Sequence, residues 1–245
     1  MLLSNGSVEE RFGTGVLTGS FVVTGAGSGL GAAIASAIAG AGGTAIGFDV
    51  REPREPADDV RYETVDVSDY GAVKQKIDEI ACERADFRGV IANAGIDACG
   101  KLSDVDAERW NRVIAVNLLG TANIVRAALP HIERNSGRVV TVASTLGLRA
   151  VSDATAYCAS KFGVVGFTRA LATELAGKVA VTLLIPGGMH TAFFDGRDPQ
   201  YQPGPDAKLN NPANVARAVV FALSQPDGCE IREMLICPST ETSWP

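Results

Sequence analysis

Along the chain, short apolar, β-rich runs alternate with longer stretches in which apolar positions recur three or four apart. The short runs fall at 21–23, 44–48, 62–65, 90–92, 139–142, 181–185 and 234–237, and the longer stretches at 30–41, 70–84, 107–129, 154–175 and 212–223. Strands that read as unbroken apolar runs belong to parallel sheets, because helices cover both of their faces. The alternation predicts an α/β fold: a single Rossmann-like, doubly wound domain with a seven-stranded parallel sheet and helices on both faces.

No linker divides residues 1–245, so one dinucleotide-binding and catalytic domain is expected, with 1–15 as an N-terminal extension. The long irregular stretch is 187–211, broken by Gly196, Pro199, Pro203, Gly204 and Pro205. A loop of that length inside a compact domain is usually functional, and a substrate lid is expected there. Residues 12–48 carry no charge, which imitates a membrane span, but they hold eleven glycines. Each glycine costs about 1 kcal/mol relative to alanine in a helix interior, and the stretch divides naturally into strand, turn, helix, turn and strand. Residues 1–11 contain Glu9 and Glu10 and lack a basic n-region, so no secretory signal is expected.

Composition narrows the partners. At 46% hydrophobic the chain can bury a substantial core. Its 22 basic and 28 acidic residues leave a net charge of −6, and no basic stripe is present to neutralise phosphates, so neither nucleic acid nor membrane is an expected partner. Cys82, Cys99, Cys158, Cys229 and Cys237 show no metal-ligand spacing, and His131 and His190 lie far apart. No metal is expected, and free thiols fit a reducing cytoplasm.

Chemistry concentrates at two places. The run 21–23 leads into Thr24-Gly25-Ala26-Gly27-Ser28-Gly29-Leu30-Gly31 and then an alanine-rich helix. Glycines let the backbone approach a pyrophosphate, and a helix N-terminus offers free N–H groups. Asp49, eighteen residues beyond Gly31 at the end of the second strand, can accept from both adenosine ribose hydroxyls and repels a 2′-phosphate. Arg51, close by, is the competing feature, because an arginine there accommodates NADP. Further on, Tyr157 and Lys161 share one helix face, four residues apart. An ammonium near a phenol favours the phenolate and is expected to lower the tyrosine pKa. Ser144 follows a strand at the carboxyl edge of the sheet, where ligands gather, although it also suits a turn or cap.

These motifs, with Asn93-Ala94-Gly95, Asn117 and Pro186-Gly187, stand in the order and near the spacing of the short-chain dehydrogenase/reductase family, which the chain resembles from about residue 16 to 238. The resemblance implies that Gly25, Ser28, Gly29, Leu30 and Gly31 hold the cofactor phosphates and that Asp66 and Val67 contact adenine. It places Asn93, Ala94 and Gly95 along the nucleotide cleft, and Pro186, Gly187 and Thr191 at the carboxamide. It makes Tyr157 the proton donor and acceptor, Ser144 the holder of the substrate oxygen, and Lys161 both a ribose ligand and the group that tunes Tyr157. Asn117 would hold a water at a local helix irregularity. Two segments depart from the family: the ending at 233–238, and the stretch after Thr191, which usually sets substrate.

By position, Asp97, Leu146, Arg149, Phe193 and Phe194 are the candidates for substrate contact. The function expected is NAD(H)-dependent hydride transfer to or from a secondary alcohol or ketone, such as a sugar, polyol, cyclitol or hydroxy acid. The alternatives are an NADPH-dependent carbonyl or acyl-carrier-linked ketoreductase and a non-catalytic dinucleotide sensor. Family habit implies a homo-oligomer, a dimer or tetramer, paired through 107–129 and 154–175.

Overall fold

The computed structural model describes residues 17–244, so the extension expected at 1–15 lies outside the described residues. Each apolar run forms a strand: β1 (Ser20–Thr24), β2 (Thr44–Asp49), β3 (Val60–Thr64), β4 (Phe87–Ala92), β5 (Arg138–Val142), β6 (Ala180–Pro186) and β7 (Glu233–Ile236). They join one sheet in the order β3-β2-β1-β4-β5-β6-β7, with every pairing parallel. The helices are α1 (Gly29–Gly40), α2 (Tyr70–Glu83), α3 (Ala107–Ile114), α4 (Gly120–Ile132), α5 (Thr155–Glu174) and α6 (Pro212–Leu223).

Two-sided burial explains why the strands are unbroken apolar runs. Phe21, Val22 and Val23 are all fully buried although they point to alternate faces. On one face α1 contributes Leu30, Ile34 and Ile38, and α6 contributes Val215, Val219 and Leu223. On the other lie Val73, Ile77 and Ile80 of α2, Ile124, Ala128 and Ile132 of α4, and Leu171 of α5. Full burial of each large aliphatic side chain contributes about 1.5–3 kcal/mol. That term, rather than helix propensity in these glycine- and alanine-rich segments, fixes the layers.

Two expectations shift. The third strand begins at Val60 and ends at Thr64 instead of spanning 62–65. The single helix expected over 107–129 is interrupted by a π-helical turn, Ala115–Leu119, and continues past Pro130 to Ile132. Asn117, fully buried, sits in that turn. Its Oδ1 accepts the Ile96 N–H at 2.8 Å, and its Nδ2 donates to the Ile96 carbonyl at 2.9 Å and to Ser160 Oγ at 3.0 Å. Apolar spacing cannot register the wider turn. The segment Ala107–Asn135 is long and apolar enough to span a membrane, but its inward residues belong to the core described above.

The site loops all leave the carboxyl edge of the sheet: 25–28 after β1, 93–97 after β4, 143–144 after β5 and 187–191 after β6. The strand order reverses beside β1, which opens the crevice typical of doubly wound sheets. The long loop after β6 is closed at its base by His190 N–H to the Asn210 carbonyl and Asn210 N–H to the Gly188 carbonyl, each at 2.9 Å.

Replacing Asn117 by leucine orphans both backbone groups of Ile96, each worth about 1–3 kcal/mol when left unpaired. We expect the unfolding free energy from urea titration to drop by about 2–4 kcal/mol. An unchanged value would show that the π-turn does not depend on this side chain.

Candidate active site

The glycine turn after β1 is shaped by close approach. Gly29 adopts φ +56° and stands where a Cβ would press on Thr191 at 3.2 Å, while a Cβ at Gly31 would overlap the Gly25 carbonyl. At the N-terminus of α1, Ser28 makes no capping side-chain bond and the first turn holds no acid. By contrast, Asp69, Asp106 and Asn211 each cap their helices, α2, α3 and α6. Free N–H groups at the end of a helix dipole, reached over glycines, fit a pyrophosphate.

Asp49 closes β2 with its carboxylate turned toward this turn. Oδ2 accepts the Gly27 N–H at 2.9 Å and Oδ1 the Arg51 N–H at 3.1 Å. The Arg51 side chain is exposed, so the negative group is the one held against the turn. Asp66 has both oxygens engaged: Oδ1 accepts from Ser68, and Oδ2 pairs with Arg112 at 2.7 Å. Burial pushes its carboxyl pKa up, but these partners outweigh that and hold it below the usual range. The Val67 carbonyl takes Asn123 Nδ2 at 3.0 Å. Thr24 Oγ1 accepts the N–H groups of both Asn93 and Ala94 at 3.0 Å, and Asn93 Nδ2 returns to the Thr24 carbonyl at 2.9 Å. A Cβ at Gly95 would stand 3.5 Å from both Asn117 Oδ1 and Lys161 Nζ, so these three positions converge.

Tyr157 and Lys161 lie on α5. Tyr157 is half-buried, its hydroxyl is hydrogen-bonded to Ser144, and desolvation pushes its pKa well above the ordinary phenol value. Ser144 accepts the Leu146 N–H at 3.1 Å, which leaves its own proton for Tyr157 or a bound oxygen. It therefore caps the turn and also meets the Tyr157 hydroxyl. Lys161, 3% exposed, donates to the Val142 carbonyl at 2.9 Å, and its Nζ is 5.6 Å from the centre of the Tyr157 ring. Two further N–H bonds of that amine remain for ligand hydroxyls. Burial draws its pKa down to about 8, with the charge of Asp97 acting the other way. The expected lowering of the tyrosine pKa by Lys161 is thus corrected: desolvation dominates at both groups, and the amine is held by Val142 and not by the phenol. Asn117 links to this helix through Ser160, whose Oγ donates to the Tyr157 carbonyl at 2.7 Å.

The loop after β6 brings Phe193 within 5.6 Å of the Tyr157 ring, with Phe194 5.8 Å from Phe193, and Asp97 is close enough to act on Tyr157 electrostatically. Leu146 enters through its backbone bond to Ser144. Arg149 is exposed and donates to the Thr242 carbonyl at 3.3 Å, so it faces the C-terminal tail rather than the phenol. Three contributors escape sequence reasoning. Arg197 of the same loop pairs with Asp97 at 3.0 Å. Glu241 accepts the Gly188 N–H at 3.0 Å, and a Cβ at Gly187 would overlap its carboxylate. Ser243 Oγ is hydrogen-bonded to Thr145 Oγ1 at 2.7 Å, next to Ser144. All three sit in aperiodic segments, where no pattern announces a partner. Among the described residues no cluster of three His, Cys, Asp or Glu side chains is placed to hold a metal.

Comparison with known proteins matches residues 20–202 to the family model described as short chain dehydrogenase. An uncharacterized oxidoreductase of Staphylococcus aureus is 34% identical over 226 residues, covering 89% of this chain and 96% of that one. Among solved structures, ligand-free aldohexose dehydrogenase of Thermoplasma acidophilum superimposes with a TM-score of 0.80 at 25% identity, over 91% of this chain and 94% of that one. The 3-ketoacyl-(acyl-carrier-protein) reductase of Brucella melitensis, complexed with NADH, gives 0.80 at 26% identity, over 89% and 96%.

The buried amine has a thermodynamic signature. Between about 8, its folded value, and about 10.4, the ordinary lysine value, the unfolded chain binds a proton that the folded chain lacks, so stability rises with pH across that window. Denaturant midpoints of the free protein, measured near both ends of it, should rise for the wild type relative to Lys161→Met. Parallel curves would contradict the burial argument.

Proposed function

The chain belongs to the short chain dehydrogenase family, and from that premise we propose that it oxidises secondary alcohols with NAD or reduces the matching ketones with NADH. Membership makes it an NAD(P)-dependent oxidoreductase acting on CH–OH groups; NAD and the secondary alcohol are our reading. The observation that carries it is the Tyr157 hydroxyl, bonded to Ser144 and flanked by Lys161.

The residues fit a dinucleotide: the uncapped start of α1 for the phosphates, Asp49 for the adenosine ribose, and Lys161 for the second ribose. When bound, the cofactor supplies the nicotinamide that accepts or returns a hydride. Tyr157 takes the carbinol proton during oxidation and gives it back during reduction. Ser144, with its acceptor side occupied by Leu146, donates to the substrate oxygen and fixes it beside Tyr157. Lys161 holds positive charge near a phenol that burial keeps protonated, and so opposes part of the desolvation cost of forming the phenolate.

Asp49 supports NAD over NADP, because a 2′-phosphate would meet a carboxylate already fixed by the Gly27 and Arg51 amides. The same carboxylate argues against an NADPH-dependent carbonyl or acyl-carrier-linked reductase. A non-catalytic sensor has no need of the assembled Asn117, Ser144, Tyr157 and Lys161. Exposed Leu119 and Phe162, on the segments expected to pair copies, support a homo-oligomer, and the free cysteines suit a cytoplasmic setting.

Tyr157→Phe keeps the ring and loses the proton carrier. Its kcat should drop by roughly 100-fold or more, the scale of general acid–base catalysis, with NADH affinity by fluorescence titration nearly unchanged. Near-native turnover would remove the mechanism. For cofactor choice, kcat/KM with NAD should exceed that with NADP by at least about tenfold, or 1.4 kcal/mol. Asp49→Ala should narrow that ratio, and equal rates in the wild type would overturn the preference.

A further inference from the structure

Beyond β7 the chain folds back onto the turn after β6. Glu241 is half-buried there and meets donors at both carboxylate oxygens. Oε2 accepts the Gly188 N–H at 3.0 Å. Oε1 accepts the Thr242 and Ser243 amides, each at 3.0 Å, and the Ser243 hydroxyl at 2.8 Å. With its own proton given to Glu241, Ser243 Oγ takes that of Thr145 at 2.7 Å, so the tail also reaches the turn that begins at Ser144. Burial pushes the Glu241 carboxyl pKa up, but these donors outweigh it and hold the group below the usual carboxylate range. At neutral pH Glu241 is therefore an anion whose acceptor positions are taken by three amides and one hydroxyl.

The turn that Glu241 holds borders the cofactor crevice. Segment 187–191 leaves β6, three places from β1 in the sheet. Its Thr191 nevertheless lies against the phosphate turn, 3.2 Å from where a Cβ of Gly29 would stand. The segment therefore runs back along the carboxyl edge, past the ends of β5 and β4. A dinucleotide with its phosphates at α1 and its reacting ring at Ser144 and Tyr157 has its nicotinamide end beside this segment. Gly188 is held from two directions: its carbonyl accepts the Asn210 N–H at 2.9 Å, and its N–H goes to Glu241. Across a trans peptide the carbonyl points opposite to the N–H, so fixing the Gly188 N–H toward the tail turns the Gly187 carbonyl away from it. A Cβ at Gly187 would overlap the carboxylate, so acid and turn are in direct contact.

We propose that Glu241 is a positioning residue for the nicotinamide end of the cofactor: by fixing the Gly187–Gly188 peptide it secures the part of NAD(H) affinity that the nicotinamide supplies. This rests on the dinucleotide-dependent reading above and adds a residue to it. Glu241 acts through the turn and takes no part in proton transfer. Glutamine is not an equivalent here, because its NH2 group would face an N–H at one end of the side chain or the other and leave a donor unpaired.

ADP-ribose, which carries the adenosine, both phosphates and the second ribose but no nicotinamide, isolates the effect in a calorimetric titration beside NADH. The wild type should bind NADH more tightly than ADP-ribose by at least about tenfold. In Glu241→Gln the Kd for NADH should rise by about tenfold, the scale of one hydrogen bond to a charged group. The Kd for ADP-ribose should stay within about twofold of the wild type, a difference too small for a lost hydrogen bond, and so report an intact fold. In turnover, KM for NAD should rise in step while kcat stays within about threefold, the pattern of lost uniform binding. Equal weakening of both ligands, unchanged NADH affinity, or a lower kcat at unchanged KM overturns the inference, as does a wild type that binds the two ligands equally. Those results leave the general reading standing if turnover still disappears in Tyr157→Phe. A wild type that binds neither ligand and shows no Tyr157-dependent turnover removes both.

Discussion

The structure turns on how β1 and β4 are tied where the sheet changes direction. Their ladder runs out at the carboxyl edge, and there the Thr24 hydroxyl takes two successive amides from the β4 loop while Asn93 reaches back to the Thr24 carbonyl. This clamp keeps the two strand ends together while their loops diverge. The glycine turn and Asp49 lie on one side of it. On the other, the chain from Gly95 to Asp97 runs beneath Asn117 and Lys161. A looser junction would leave the two halves of the site free to drift relative to each other, and proton transfer tolerates little drift.

Desolvation is the second theme. The phenol of Tyr157 and the amine of Lys161 are both driven toward their neutral forms by burial, which opposes the charged pair that proton transfer calls for. The fold holds them in an enclosed place where small additions of charge or hydrogen bonding have large effects. Asp97, acting on both, is one such addition, and Arg197 is its counterweight at the phenol.

Much of the scaffold was legible because it rests on short-range rules. Phe21 to Val23 reads as a buried parallel strand from three residues alone, and Tyr157 with Lys161 reads as one helix face from their spacing. The π-turn at Asn117 was not foreseeable from apolar periodicity, since its cause is a hydrogen-bonding match to Ile96 and Ser160. Nor was the true setting of Lys161: only the packed structure shows that the Val142 carbonyl claims it. Asp97 and Arg197 are 100 residues apart and meet only because a loop folds back across the site. Arg149, promising by position, turned outward to the tail carbonyl of Thr242.

The tail has a consequence for variation. Glu241 lies where a side chain at residue 187 would have to go, and it also accepts the amides of Gly188, Thr242 and Ser243. Residues 187 and 241 are therefore not independent positions. A larger residue at 187 is tolerated only together with a change that withdraws the carboxylate, and that change removes the acceptor of the Ser243 amide and hydroxyl. Descendants of this chain that remodel their ending must remodel the turn after β6 in the same step, so the two segments, 54 residues apart in sequence, are constrained to diverge together.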